Sequence, residues 1–380
     1  MILYSLFGRN IMSTDVFGRI FDNVKDPRQA SKVVYELYDL LFLTICGVIS
    51  GCEGWEDIRD FGEFRLPWLR SLGLFKEGIP ADDTIARLIS RIDPDQLQKG
   101  FIKWMRQANK LTCGEVIAVD GKTLRSSYNR DDKKSAIHMV SAFATTNGVV
   151  MGQIKTGEKS NEITAIPALL KMLDIRGCLI TIDAMGCQRD IADTIINKGA
   201  DYLLALKTNQ ERLHRAVVSA FKEADLKPNT QIEKGHGRIE AREYYVLDAQ
   251  EISRAFPQWK GLRTIGMAMN YINDGGKESV HYRYYISSAD LTHEQFGKAV
   301  RGHWGIESMH WVLDTAMKED DCQIYRENGA ENLARLRHIA RNIIRADKSR
   351  KASVRRKQRM AVMDPSYLES IFLNGLDQCD

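Results

Sequence analysis

Three carboxylates stand where a folded chain could gather them around divalent cations. Asp120 closes the apolar run Val116-Ile117-Ala118-Val119 and is followed by Gly121-Lys122-Thr123-Leu124-Arg125. Asp183 closes a second run, Cys178-Leu179-Ile180-Thr181-Ile182, and precedes Ala184-Met185-Gly186. Glu307 lies far downstream in His303-Trp304-Gly305-Ile306-Glu307. Short apolar runs of this kind read as buried strands, so each delivers an aspartate at or near its end. Hard oxygen ligands suit magnesium, which keeps several of its waters. Two such ions about 3.5–4 Å apart can activate an oxygen nucleophile and stabilise a leaving oxygen in phosphodiester chemistry. Without a cation, crowded carboxylates repel and raise one another's pKa values. The expected set is Asp120 as bridging ligand, with Asp183 and Glu307 each favouring one ion. Mg2+ is the expected metal and Mn2+ a substitute for it.

A helix is expected over about 292–317, and on it His303, Glu307, His310 and Asp314 recur at i, i+4, i+7 and i+11, one face. Such a stripe often only faces water. Here the helix follows the last strand and can lie against both aspartates. Trp304, Trp311, Ile306 and Leu313 read as the sides that pack. Zinc held by His303, Glu307 and His310 is disfavoured, since the spacing is not His-Glu-x-x-His and no Cys-x-x-Cys pair exists.

Cationic and polar groups near these points are candidates for nucleic-acid contact. Lys122 and Arg125 follow Asp120 closely and could hold a phosphate; ordinary strand-end ion pairing is the alternative. Lys207 and Asn209, in Lys207-Thr208-Asn209, end a strand on the same edge as Asp183. His236-Gly237-Arg238-Ile239-Glu240-Ala241-Arg242 alternates along an expected strand, placing Arg238, Glu240 and Arg242 on one face. That face, with His236, is either a DNA-facing strip or a solvated sheet surface.

The elements that must position these groups follow from periodicity. Residues 13–112 read as an all-helical N-terminal domain, with a Leu37, Leu40, Leu41 and Thr44 stripe. Asp82 or Asp83 is the expected N-cap of one helix, and Asp93-Pro94 opens another. Residues 113–345 change character. Strands are expected at 116–120, 137–145 and 148–155, the last two joined at Asn147-Gly148. A helix over 163–173, a strand over 178–183, a helix over 188–197 and a strand over 202–207 follow. This order suits an α/β fold: an RNase H-like mixed sheet with flanking helices, whose first and fourth strands are neighbours. Asp120 and Asp183 would then meet. Residues of about 211–285 read as a β-rich insertion before the glutamate helix. Residues 346–380 read as a basic tail, a solvated segment or a phosphate-contacting arm; eight Lys or Arg fall between Arg345 and Arg359.

The 380-residue chain is 44% hydrophobic and 27% charged, an ordinary globular balance, and its net charge of +4 says little about partners. Its seven cysteines are scattered, which fits a reducing cytoplasm. The apolar stretch Leu40–Ile49 is too short to span a bilayer, and no membrane role is expected. Met1 to Met12 carries no cleavage pattern, and Met12 could be a later start.

Together, Asp120-Gly121-Lys122-Thr123-Leu124-Arg125, Glu158-Lys159-Ser160-Asn161-Glu162-Ile163, Thr181-Ile182-Asp183-Ala184-Met185-Gly186-Cys187-Gln188, His236-Gly237-Arg238 and His303-Trp304-Gly305-Ile306-Glu307 resemble a bacterial DDE transposase. The likeness is to H-repeat-associated proteins of Rhs elements and spans nearly the whole chain. It implies Asp120, Asp183 and Glu307 as catalytic triad and metal ligands. It also implies magnesium-dependent cutting at insertion-sequence ends, followed by attack of the freed 3′-hydroxyl on target DNA. Double-stranded DNA is the implied partner, with a homodimer in the synaptic complex and a bacterial, nucleoid-associated location in the cytoplasm. The helical first domain becomes a DNA-end-binding and assembly module. Related transposases often carry Arg four residues before the glutamate and Lys seven after it. His303 and Asp314 occupy those places here, so phosphate handling is expected to differ, with Asp314 open to the metal site. A catalytically silent DNA-binding protein and a nuclease without strand transfer are the competing readings.

Overall fold

The computed structural model describes residues 17, 18, 20–108, 111, 113–128, 136–157, 162–226, 230–235 and 238–376. The apolar stretch from Leu40 to Ile49 forms the buried body of α1 (Leu37–Ile49). Around it lie α2 (Trp55–Ser71), α3 (Asp82–Arg91) and α4 (Pro94–Ala108). Neither Asp82 nor Asp83 is the N-cap of α3. Ala81 holds that position, and both acids lie in the first turn, where they complement the helix dipole. Before α4, Asp93 Oδ1 accepts the Asp95 N–H at 2.9 Å, while Pro94 occupies the first turn, where a missing N–H costs nothing.

The pattern then turns to strands: β1 (Val116–Thr123), β2 (His138–Ala144), β3 (Val149–Lys155), α5 (Glu162–Met172), β4 (Leu179–Ile182), α6 (Arg189–Asn197) and β5 (Asp201–Leu206). β1 runs past Asp120 because β2 pairs with it as far as Thr123↔His138. The turn between β2 and β3 needs Gly148, whose φ of +69° lies where a side chain is strained.

The β-rich segment continues the same sheet. It comprises α7 (Glu211–Glu223), β6 (Thr230–Gly235), β7 (Arg238–Asp248), α8 (Gln250–Ala255), β8 (Thr264–Asp274) and β9 (Lys277–Ser287). β9 pairs antiparallel with β5, giving one nine-stranded sheet of order β3-β2-β1-β4-β5-β9-β8-β7-β6. β1, β4 and β5 are mutually parallel, and every residue of β4 is buried, as expected of a strand covered on both faces.

Three helices follow the dominant α9 (His293–Ala316), which Thr292 and Gln295 start with a reciprocal capping box. α10 (Gly329–Ala346) is buried along nearly its whole length and touches α1, α3, α4 and β3. The expected basic tail is mostly folded: α11 (Val354–Met363) and α12 (Pro365–Leu376) pack back on α10. Leu368, Ile371, Phe372 and Leu376 are buried there, and the Phe372 ring lies 5.3 Å from that of Phe17 and 5.0 Å from that of Phe42. Lys357 of the charge run is itself buried, paired with Asp347 at 3.0 Å. The run of cations masked this apolar spacing. Helices from both ends of the chain thus share one core with the sheet. Among the described residues no helix is long and apolar enough to cross a membrane, and the six described cysteines are free.

Candidate active site

The register of two parallel strands sets the site. Val119 of β1 lies opposite Ile182 of β4, so the next residues, Asp120 and Asp183, emerge side by side. They stand at the carboxyl end of β4, where parallel sheets commonly present their sites. Asp183 Oδ1 accepts the N–H groups of Met185 at 3.0 Å and Gly186 at 3.2 Å, which holds the turn after β4. α9 lies against β1 and β4. His303 Nδ1 is 3.0 Å from Thr181 Oγ1, His310 Nδ1 is 3.6 Å from Asp120 Oδ2, and Asp314 Oδ1 is 2.7 Å from Lys122 Nζ. His303, His310 and Asp314 of the stripe therefore face the two strands, while Glu307, between the two histidines, is exposed and near enough for its charge to act on Asp120.

Burial lifts the Asp120 carboxyl from its ordinary 3.8 to about 7; the Gly121 N–H opposes the rise, and the charges of Glu162, Asp183 and Glu307 add to it. Burial also holds His310 down at about 4, helped by Lys122, Arg341 and His138. The Asp120–His310 contact is thus not an ion pair near neutral pH. Burial likewise lowers the pKa of His303, against the opposing charge of Asp183 and the hydrogen bond to Thr181.

These groups fit a divalent cation by chemistry. Asp120 is a hard oxygen donor that its carboxylate neighbours and burial drive towards protonation, and a cation would relieve that pressure. Among the described residues no group of three His, Cys, Asp or Glu closes tightly enough to enclose an ion.

A second carboxylate arrangement escaped sequence reasoning. His138 Nε2 lies 2.7 Å from Glu162 Oε1, and its Nδ1 lies 2.8 Å from Thr123 Oγ1. This chain of contacts sits over Gly121. A Cβ there would fall 2.2 Å from Glu162 Oε1 and 2.3 Å from His138 Nε2. Gly121 is therefore required so that Glu162 can approach the backbone beside Asp120. Glu162 lies within one of the motifs quoted above, but no periodicity assigns it to β1.

The candidate phosphate contacts divide. Lys122 has the geometry of the ion-pairing alternative: it is only 10% exposed, with Nζ 2.7 Å from Asp314, 3.2 Å from Glu319 and 2.8 Å from Asp320. Burial opposes its charge, but Glu319, Asp314 and Asp320 hold its pKa above the usual lysine value. Lys122 is thus ion-paired, and Asp314 is one of its counter-ions. Arg125 is 82% exposed, with Nε 3.3 Å from Asp320 Oδ2. Asn209 Nδ2 donates to the Ala184 carbonyl at 2.7 Å, tying the end of β5 to the turn after Asp183, and Lys207 beside it is exposed. Arg242 pairs with Glu240 on β7, Arg238 opens that strand opposite Asp274, and His236 lies outside the described residues. Ile306 and Leu313 of α9 pack inward as expected. Trp304 and Trp311 do not: they are 44% and 66% exposed, and the Arg283 guanidinium lies 4.9 Å from the Trp304 ring centre.

Residues 111–343 match the family profile described as "Transposase DDE domain", and residues 19–105 match one described as "DDE_Tnp_1-associated". The chain is 50% identical over 359 residues to "H repeat-associated putative transposase YhhI" of Escherichia coli K12, covering 92% of this chain and 95% of that protein. It is 47% identical over 358 residues to "Putative transposase YncI" of Escherichia coli O157:H7, covering 92% of each. A solved piggyBac transposase synaptic complex with hairpin DNA aligns with a TM-score of 0.47 and 12% identity, over 96% of this chain and 80% of that one. That likeness is too slight to bear on function.

Proposed function

The chain belongs to the DDE transposase family, and from that premise we propose that it cuts DNA at insertion-sequence ends and joins the freed 3′-hydroxyl to target DNA. The observation that supports this reading is the register that sets Asp120 beside Asp183, together with the charge that Glu307 on α9 exerts on Asp120. The order β3-β2-β1-β4-β5, antiparallel then parallel, is read as an RNase H-like core. Asp120, Asp183 and Glu307 would hold the divalent cation, Mg2+ or Mn2+. When bound, that cation would favour the oxygen nucleophile and stabilise the departing oxygen.

The chain's own residues do the rest. Asp120 gives up its proton when the site is charged. Asp183, anchored by two backbone N–H groups, holds its carboxylate steady beside it. Glu162, His138 and Thr123 brace β1 at Gly121. Arg125 and Lys207, both exposed just after β1 and β5, would take phosphates of the DNA. Two element ends held together would call for a dimer, working on the DNA of the bacterial nucleoid in the cytoplasm.

The test is cleavage and strand transfer on labelled DNA carrying the element's own ends, with Mg2+, beside the Asp183→Ala protein. Cation-dependent products lost in that variant support the proposal. A pre-cut end bearing a 3′-hydroxyl separates the alternatives: a transposase joins it to target, a nuclease only hydrolyses DNA, and a silent DNA-binding protein does neither.

A further inference from the structure

A trough of about 810 Å³ runs between the β2–β3 turn, α9 and the loop joining α10 to α11. Its wall on α9 is Gly305, Ser308, Met309 and Val312. At 3.6 residues per turn these lie on the flank nearly opposite His303, Glu307, His310 and Asp314. Its other walls carry Arg341, Arg345, Lys348, Arg350 and Lys351. The one lining carboxylate, Asp347, is buried and already held by Lys357 at 3.0 Å and the Tyr367 hydroxyl at 3.1 Å.

None of those five cations has an acidic partner within ion-pair distance among the described residues. Arg341 is buried, donates to the Gly148 carbonyl at 2.8 Å and lies over the Phe143 ring, yet its Nε has no partner. Burial and the neighbouring charge of Arg345 pull its pKa down to about 9. Arg345 leans on the same turn, its Nε 3.1 Å from where a Cβ on Gly148 would stand. Like charges gathered without counter-ions are unfavourable unless an anion joins them. The cations come from α10 and the segment after it and line one open trough. That suits a run of phosphates better than a single ion.

We propose that this trough seats the sugar-phosphate backbone of duplex DNA at a place separate from the carboxylates, on the opposite flank of α9. The inference rests on the DNA-handling function proposed above and adds a second contact to it. This contact reads no sequence, because phosphates carry none. Its DNA segment is not the one being cut.

The experiment uses the full chain and a labelled duplex of arbitrary sequence without divalent cation, with affinity followed by anisotropy from about 50 to about 200 mM salt. Arg345→Gln/Lys348→Gln/Lys351→Gln changes exposed side chains only. Each lost phosphate contact removes about 0.9 from the slope of log affinity against log salt, so the triple variant should be shallower by about 2 to 3. Affinity near physiological salt should fall more than tenfold. A matched control, Arg212→Gln/Arg215→Gln/Lys222→Gln on α7, removes the same charge elsewhere and should leave the slope in place. An unchanged slope in the trough variant, or an equal drop in the control, overturns the inference while leaving the proposed function standing. No binding of duplex by the unaltered protein would sink both.

Discussion

Asp120→Asn offers a test of the site that needs no DNA. In the folded protein the Asp120 carboxyl sits at about 7, against 3.8 when free. Between those values the folded chain keeps a proton that the unfolded chain has lost. Stability of the unaltered protein therefore falls as pH rises through that window, and the loss is complete above about pH 7. The gap of about three units, at 1.36 kcal/mol each, makes the full penalty about 4 kcal/mol. At about pH 5 only the first unit or so has been lost, about 2 kcal/mol. An asparagine has no proton to lose and escapes this slope. Urea unfolding in the presence of a chelator should thus show the variant gaining on the unaltered protein by about 2 to 3 kcal/mol between about pH 5 and about pH 8. Adding Mg2+ at the higher pH should narrow the gap by stabilising only the unaltered protein. A stability difference that does not change with pH would refute the claim that burial and three carboxylate neighbours burden Asp120.

Three further outcomes are expected. Lys122→Met strips the counter-charge from Asp314, Glu319 and Asp320, with Glu319 only 1% exposed, so it should cost about 3–5 kcal/mol in urea unfolding, and adding Glu319→Gln should recover part of that. Gly121→Ala pushes a methyl into the Glu162–His138 contact; strand-transfer rate should drop at least tenfold while circular dichroism stays native, and full activity would remove Glu162 from the site. Phe372→Ala should lower stability by about 3–5 kcal/mol by opening a cavity among Phe17, Phe42 and α10, whereas a loosely attached C-terminal segment would lose nothing.

The sequence by itself determined the elements and their chemistry. Alternation and apolar runs marked β1 to β5 to within a few residues, because a strand buried on both faces admits little else. The stripe on α9 was written in a period of 3.6 residues. Local patterns of this kind are physical constraints on neighbouring residues, so they are legible without a fold. What only the tertiary structure decided was the use of each charge. Lys122 and Arg125 look alike on paper, yet one is enclosed by three carboxylates from α9 and the segment after it, while the other is largely exposed and touches only Asp320 among them. Glu162 reaches Gly121 from the start of α5, and the C-terminal cations hide helices that complete the core around Phe17 and Phe42. Partnership between residues far apart in the chain depends on which faces the packed helices turn towards one another, and no local period records that.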